Sequence, residues 1–160
     1  MATYTASWEN KHTVVILHGG QSLGKIEFEK SEGLLLGDAL LQVSGHTVQA
    51  KGDGKNIVIN GDGVEIFTAI FRPLWGNFEL QLAGEDTGYD VRGKWFKPGT
   101  RLTDDDDHDL VVVTSDALTG KQMKIVAVED ASALMVAATI YLHIRASAAK
   151  TMATMIGIVS

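Results

Sequence analysis

Residues 130–150, DASALMVAATIYLHIRASAAK, carry the only long helical pattern in a chain of 160 residues. At about 100° per residue, Ser132, Thr139, His143, Ser147 and Lys150 fall on one narrow stripe. Ala, Leu, Met, Val, Ile and Tyr occupy nearly all of the remaining circumference, interrupted by Arg145. A helix resting on one face of a sheet buries one side and wets the other, so a helix apolar almost all round has to be surrounded. A closed or strongly curled sheet supplies that enclosure, and in turn needs something apolar to fill it. Asp130 is expected as the N-cap, with Glu129 adding charge at the positive end of the dipole and Lys150 near the other end. Residues 151–160 (TMATMIGIVS) fit a helical extension, a strand or a frayed tail equally well.

Everything upstream reads as short strands. Residues 13–18 (TVVILH) are β-branched and apolar and stop at Gly19 and Gly20, and residues 23–30 alternate Ile26 and Phe28 against Lys25, Glu27 and Glu29. Further strands are expected at 33–36, 39–44, 46–51, 56–60 and 64–71, the last two joined by Gly61, Asp62 and Gly63 as a hairpin turn. Segments 75–83, 89–96, 100–103, 109–114 and 121–128 follow, with Gly93 breaking the alternation as a bulge or sharp bend. With the N-terminal stretch the expectation is about twelve strands. Short turns make neighbours antiparallel, and no helix separates the strands, so a parallel α/β fold is excluded. The expected fold is therefore mainly β: a closed antiparallel barrel around one hydrophobic helix at about 131–150, forming one domain over residues 1–160.

Composition narrows the function classes. A single domain of this length buries roughly 70% of the surface its unfolded chain exposes. Cys is absent, which removes disulfides, thiolate metal sites and a cysteine nucleophile. The first residues, MATYTASWENKHT, lack the basic and apolar regions of a secretory signal, and a cytoplasmic location, peripheral at membranes, is expected. A membrane-spanning helix needs roughly twenty apolar residues, whereas the 14 residues 131–144 precede Arg145, so no transmembrane span is expected. A net charge of −6 and a pI near 5.3 argue against nucleic acid as partner.

The chemistry-bearing clusters are weak individually. VVILHGG at 14–20 is similar to the oxyanion-loop entry of α/β-hydrolases, but no Gly-x-Ser-x-Gly follows and the parallel sheet is missing. The acidic run at 104–107 with His108 and Asp109 matches no EF-hand spacing and reads as a solvated hairpin loop. Asp53, Lys55, Asn60 and Asp62 read as turn residues. His12, His18, His46, His108 and His143 have no metal-ligand spacing, and no metal or cofactor is expected. His143, beside Thr139 and Ser147 on the polar stripe, is expected to be satisfied inside the core or at a barrel mouth. Arg92, Lys94, Lys97 and Arg101 form the densest positive cluster, with Trp95 and Phe96 between them, and are the candidate binding residues for a phospholipid head group or another polyanion. No acid, base and nucleophile stand at catalytic spacing, so no catalytic residues are assigned and the chain is expected not to be an enzyme.

From Tyr89 to Ala146 the order of elements resembles the tubby C-terminal-like superfamily, within it the LURP-one-related and phospholipid-scramblase-like branch. The resemblance lies in an aromatic strand reaching Gly93, a hairpin, residues 109–114, the strand 121–128 (KQMKIVAV) ending in small apolar residues, the acidic pair Glu129 and Asp130, and the apolar helix 131–144. It implies a twelve-stranded barrel threaded by its C-terminal helix, and a non-enzymatic binding or scaffold domain that meets anionic phospholipid or a protein partner through its exterior. The alternative expectation is a carrier of small apolar ligands, of the lipocalin-like or helix-grip type, in which the helix lies outside or across an open cavity.

Overall fold

Alternation along each strand sends every second side chain inward. In the computed structural model this produces twelve strands and one helix: β1 Ala2–Trp8, β2 Thr13–His18, β3 Gln21–Phe28, β4 Ala39–Val43, β5 His46–Asp53, β6 Asn56–Gly61, β7 Val64–Arg72, β8 Asn77–Leu82, β9 Glu85–Gly93, β10 Thr100–Thr103, β11 Asp109–Ser115, β12 Gln122–Ala127 and α1 Ala133–Val159. The structure describes residues 1–29, 38–53, 56–61, 64–72, 77–82, 85–93, 99–116 and 121–159, with side chains excepted at 53, 64–66, 71–72, 77, 82, 85–87, 93 and 148–159. The strand expected at 33–36 lies outside the described residues.

Every strand pairs antiparallel with its neighbour in sequence, and β1 closes the barrel on β12 with Tyr4 opposite Ile125. Two tight connections set the meander. Gly19 (φ 59°) with Gly20 (φ 79°), and Ser44 (φ 50°) with Gly45 (φ 79°), place both central residues of a two-residue turn in the left-handed region, whose twist matches that of the flanking strands. Gly24 is needed for a different reason: a Cβ there would lie 2.0 Å from the Gln42 carbonyl oxygen on β4. Gly93 forms no bulge in the β9–β10 ladder; it ends β9 in regular register opposite Thr100. The register shifts fall at Ile16/Leu17, Ile59/Asn60, Leu80/Gln81 and Leu102/Thr103.

Residues 136–144 of α1 are all buried, from Val136 and Ile140 at 0% exposure to Ile144 at 6%. Nine consecutive buried residues span two and a half turns, so every face of the helix is covered. The inward residues of the strands close on it, among them Ile16, Ile26, Leu41, Ile59, Leu102, Val111 and Ile125. Leu134, two residues before this stretch, is only half-buried. Trp8, Phe28 and Tyr141 form a stacked series with centroids 5.6 and 5.8 Å apart, linking the sheet to the middle of the helix. Burial pushes the Tyr141 hydroxyl up to about 12.

Two sequence expectations change here. The cap is Ser132 rather than Asp130: Ser132 Oγ accepts from the Met135 N–H at 3.1 Å, and the Ser132 carbonyl accepts from the Val136 N–H. The helix also continues past 150 and stays helical through Val159, so the tail is an extension of α1.

Leu142 is enclosed on all sides, and replacing it with Ala should cost about 2–5 kcal/mol through lost burial and the cavity left behind. A urea titration of Leu142→Ala against the parent checks this; a loss below about 1 kcal/mol would mean the barrel is not packed against that face.

Candidate functional site

The meander gives the barrel two distinct ends. β12 hands the chain to α1 at one end, where the β2–β3, β4–β5, β6–β7, β8–β9 and β10–β11 connections also lie. Burial of α1 ceases after Ile144 at the opposite end, and Ser147 is exposed there. The β1–β2, β3–β4, β5–β6, β7–β8, β9–β10 and β11–β12 connections share this exit end.

His143 sits just inside the exit end. Thr100, at the start of β10, places Oγ1 2.7 Å from Nδ1, and Ser115, at the end of β11, places Oγ 2.5 Å from Nε2. Both ring nitrogens therefore have hydroxyl partners, one donating to the imidazole and one accepting from it. Thr139 donates to the Met135 carbonyl at 2.7 Å. His143 is thus a satisfied polar group in the barrel mouth, pinning α1 to β10 and β11. Sequence alone did not reveal Thr100 and Ser115 as its partners, because they lie 43 and 28 residues away.

Of the four expected binding residues, two are described. Arg92 and Arg101 stand directly opposite each other across β9 and β10. Each is held by carboxylates: Arg92 by Asp90 at 2.7 Å, Arg101 by Asp109 at 2.6 Å and by Asp107 at 3.3 Å. Lys94 and Lys97 lie outside the described residues. In the acidic loop, Asp104 folds back on its own backbone, accepting from the N–H groups of His108 at 2.8 Å and Asp106 at 3.0 Å. The His108 N–H in first place holds this carboxyl below the usual carboxylate range. A lowered folded-state value means that the contribution is present at neutral pH and is lost as pH falls through it.

The entrance end is acidic. Among the described residues, the four aspartates 104–107, Glu129 and Asp130 belong to connections there, and Arg101 reaches Asp107 from β10. The α-ammonium of Met1 is there, 2.8 Å from Glu129. Among the described residues, the exit-end connections and strand ends carry Lys11, Lys51 and Lys121, α1 adds Arg145, and Glu9, Glu29, Asp38 and Asp116 stand at the same end. Trp8 closes β1 there.

Cavities follow the ends, since α1 occupies the interior. At the entrance, a cavity of about 420 Å³ lies between the β4–β5 turn and the start of α1, lined by Val43, His46, Val48 and Leu134 among others. A neighbouring one of about 400 Å³ shares Ser44, His46 and Thr47 with it. At the exit end, a cavity of about 430 Å³ is lined by Trp8, Glu9, Asn10, Lys11 and Lys121. The Trp8 N–H donates to the Lys121 carbonyl at 3.0 Å, tying together two lining residues from opposite ends of the sequence.

No protein-family model matches the chain, and no curated protein matches it. Among solved structures, the X-ray structure of the AT5G01750 protein from Arabidopsis thaliana is similar, with a TM-score of 0.57 at 15% identity over 94% of this chain and 91% of that one. At that identity the likeness is one of fold: a barrel shared across nearly the whole of both chains.

Thr100→Val keeps the volume of the side chain but strips Nδ1 of its buried partner, and should cost about 1–3 kcal/mol. Ser115→Ala, at a half-buried position where water can substitute, should cost about 1 kcal/mol or less. Equal losses in chemical denaturation would show that both hydroxyls are equally sealed from water.

Proposed function

We propose that the chain is a non-enzymatic binding domain of the LURP-one-related and scramblase-like type, within the tubby C-terminal-like superfamily. It acts as a cytoplasmic, membrane-peripheral barrel that meets anionic phospholipid through its outer surface. The observation that carries this is the occupied interior. With residues 136–144 filling the barrel, a lipocalin-like carrier would have no internal chamber for its ligand, and recognition has to occur outside. Exposed lysines such as Lys11 and Lys121 give that exterior groups suited to a phosphate-bearing partner despite the net charge of −6. The barrel supplied by the meander is closed, so its strands offer no free edge for a partner to extend.

Flotation with vesicles of phosphatidylcholine, with and without phosphatidylserine, tests the proposal. The protein should rise with the anionic vesicles at low salt and be released at roughly 0.5 M salt, where surface charges are screened within a few Å. Failure to float with anionic vesicles at low salt would leave a protein partner as the remaining form of the binding role.

A further inference from the structure

We infer that the cavity at the entrance end, between the β4–β5 turn and the start of α1, is a binding site for a small uncharged molecule with an apolar body and an acceptor oxygen at one end. This goes beyond the phospholipid-binding reading and does not depend on it.

The space arises because the helix enters the barrel before it is fully enclosed. Burial on every face starts at Val136, whereas Ala133, Leu134 and Met135 are half-buried. Near them β6 ends on Gly61, which has no side chain to fill the gap, and Ala133 offers only a methyl group. Val43 and Val48, both buried, and Leu134 make the lining apolar. The resulting cavity of about 420 Å³ is nearly three times the roughly 150 Å³ that holds a benzene-sized molecule. Water against these side chains finds few hydrogen-bond partners, so an apolar body that displaces it is favoured.

The lining decides the charge of the occupant. Among the described residues it holds no carboxylate, ammonium or guanidinium, so a charged group placed there would lose hydration with no counter-charge to replace it. Asp130, two residues before the helix cap, offsets the positive end of the dipole and with it the general attraction for an anion.

Polar groups stand at the opening instead. Ser44, His46, Thr47 and Ser132 border the cavity and are exposed. Ser132 Oγ accepts from the Met135 N–H and keeps its own O–H to donate. The helix ladder starts with the Val136 N–H, so the N–H groups of Ala133 and Leu134 lie outside it. An apolar lining with donors at the opening orients an amphiphile, carbon first and oxygen towards solvent. The neighbouring cavity of about 400 Å³ shares Ser44, His46 and Thr47 but is bordered by Lys25 and Gln42, and suits such a molecule less well.

The naphthyl ketone prodan is uncharged, carries one carbonyl acceptor and emits at shorter wavelength in apolar surroundings. Titrated with the full chain, it should show a saturable blue shift with a Kd on the order of 0.1 mM. Amide resonances of Val43 to Val48 and of Ser132 to Leu134 should move over the same concentrations. Ala133→Phe, which fills the cavity, should weaken binding at least about tenfold while circular dichroism stays that of the parent. Anilinonaphthalenesulfonate, of similar bulk but anionic, should bind about tenfold more weakly than prodan. If Ala133→Phe does not fold, the resonance map of the parent decides alone. No saturable binding, undiminished binding by folded Ala133→Phe, or shifts at Ser22 to Lys25 without shifts at Ala133 and Leu134 would each overturn the site. Tighter binding of the sulfonate would overturn the choice of an uncharged ligand. Membrane binding enters none of these readouts, so the phospholipid reading stands or falls separately.

Discussion

The fold depends on mutual completion between a sheet and a helix. A twelve-stranded sheet that closes on itself leaves an interior that water cannot usefully occupy, and among the described residues α1 is the element with apolar residues on all sides. Conversely, a helix carrying Ile140, Tyr141 and Leu142 on adjacent positions has no dry orientation on an open sheet. Each therefore removes the other's alternatives. The polar exceptions are handled locally: Thr139 returns its hydroxyl to the helix backbone, and His143 is accommodated by Thr100 and Ser115 at the mouth.

Filling the interior also decides where function can reside. Barrels with open interiors present ligands with one enclosed space, whereas this one presents an outer wall and two rims. The wall is locally neutralised where it has been described, as in the pairs Arg92–Asp90, Arg101–Asp109 and Lys25–Glu27. Exposed pairs of this kind contribute little stability, but they cancel the field that would otherwise attract a distant partner. The meander sorts connections by parity, so Asp104 to Asp107, Glu129 and Asp130 share the entrance rim, where the helix dipole also places its positive end.

Much of the architecture was legible because it rests on patterns repeated many times. The all-round apolar stretch from Val136 to Ile144 required enclosure, the alternation of Ile26 and Phe28 with Lys25 and Glu27 marked a half-buried strand, and Gly19 with Gly20 marked a turn. Finer features failed where two residues could do the same job. Asp130 and Ser132 are both good caps, and the choice fell to the residue from which the Met135 N–H is in reach. The basic cluster Arg92, Lys94, Lys97 and Arg101 was read by density along the chain, a measure blind to pairs such as Lys11 and Lys121, which closure of β1 on β12 brings to one cavity.

Strand order has a consequence for biosynthesis. The chain emerges from the ribosome with all twelve strands ahead of α1, so the filler of the core is made after every strand that surrounds it. Until residues 136–144 are free of the exit tunnel, the inward faces of β1 to β12 have nothing to close upon, and strands of high β-propensity wait with their apolar sides uncovered. A nascent chain stalled before Ala133 is therefore a client for holding chaperones rather than a smaller folded protein, and synthesis of α1 is coupled directly to closure of the barrel.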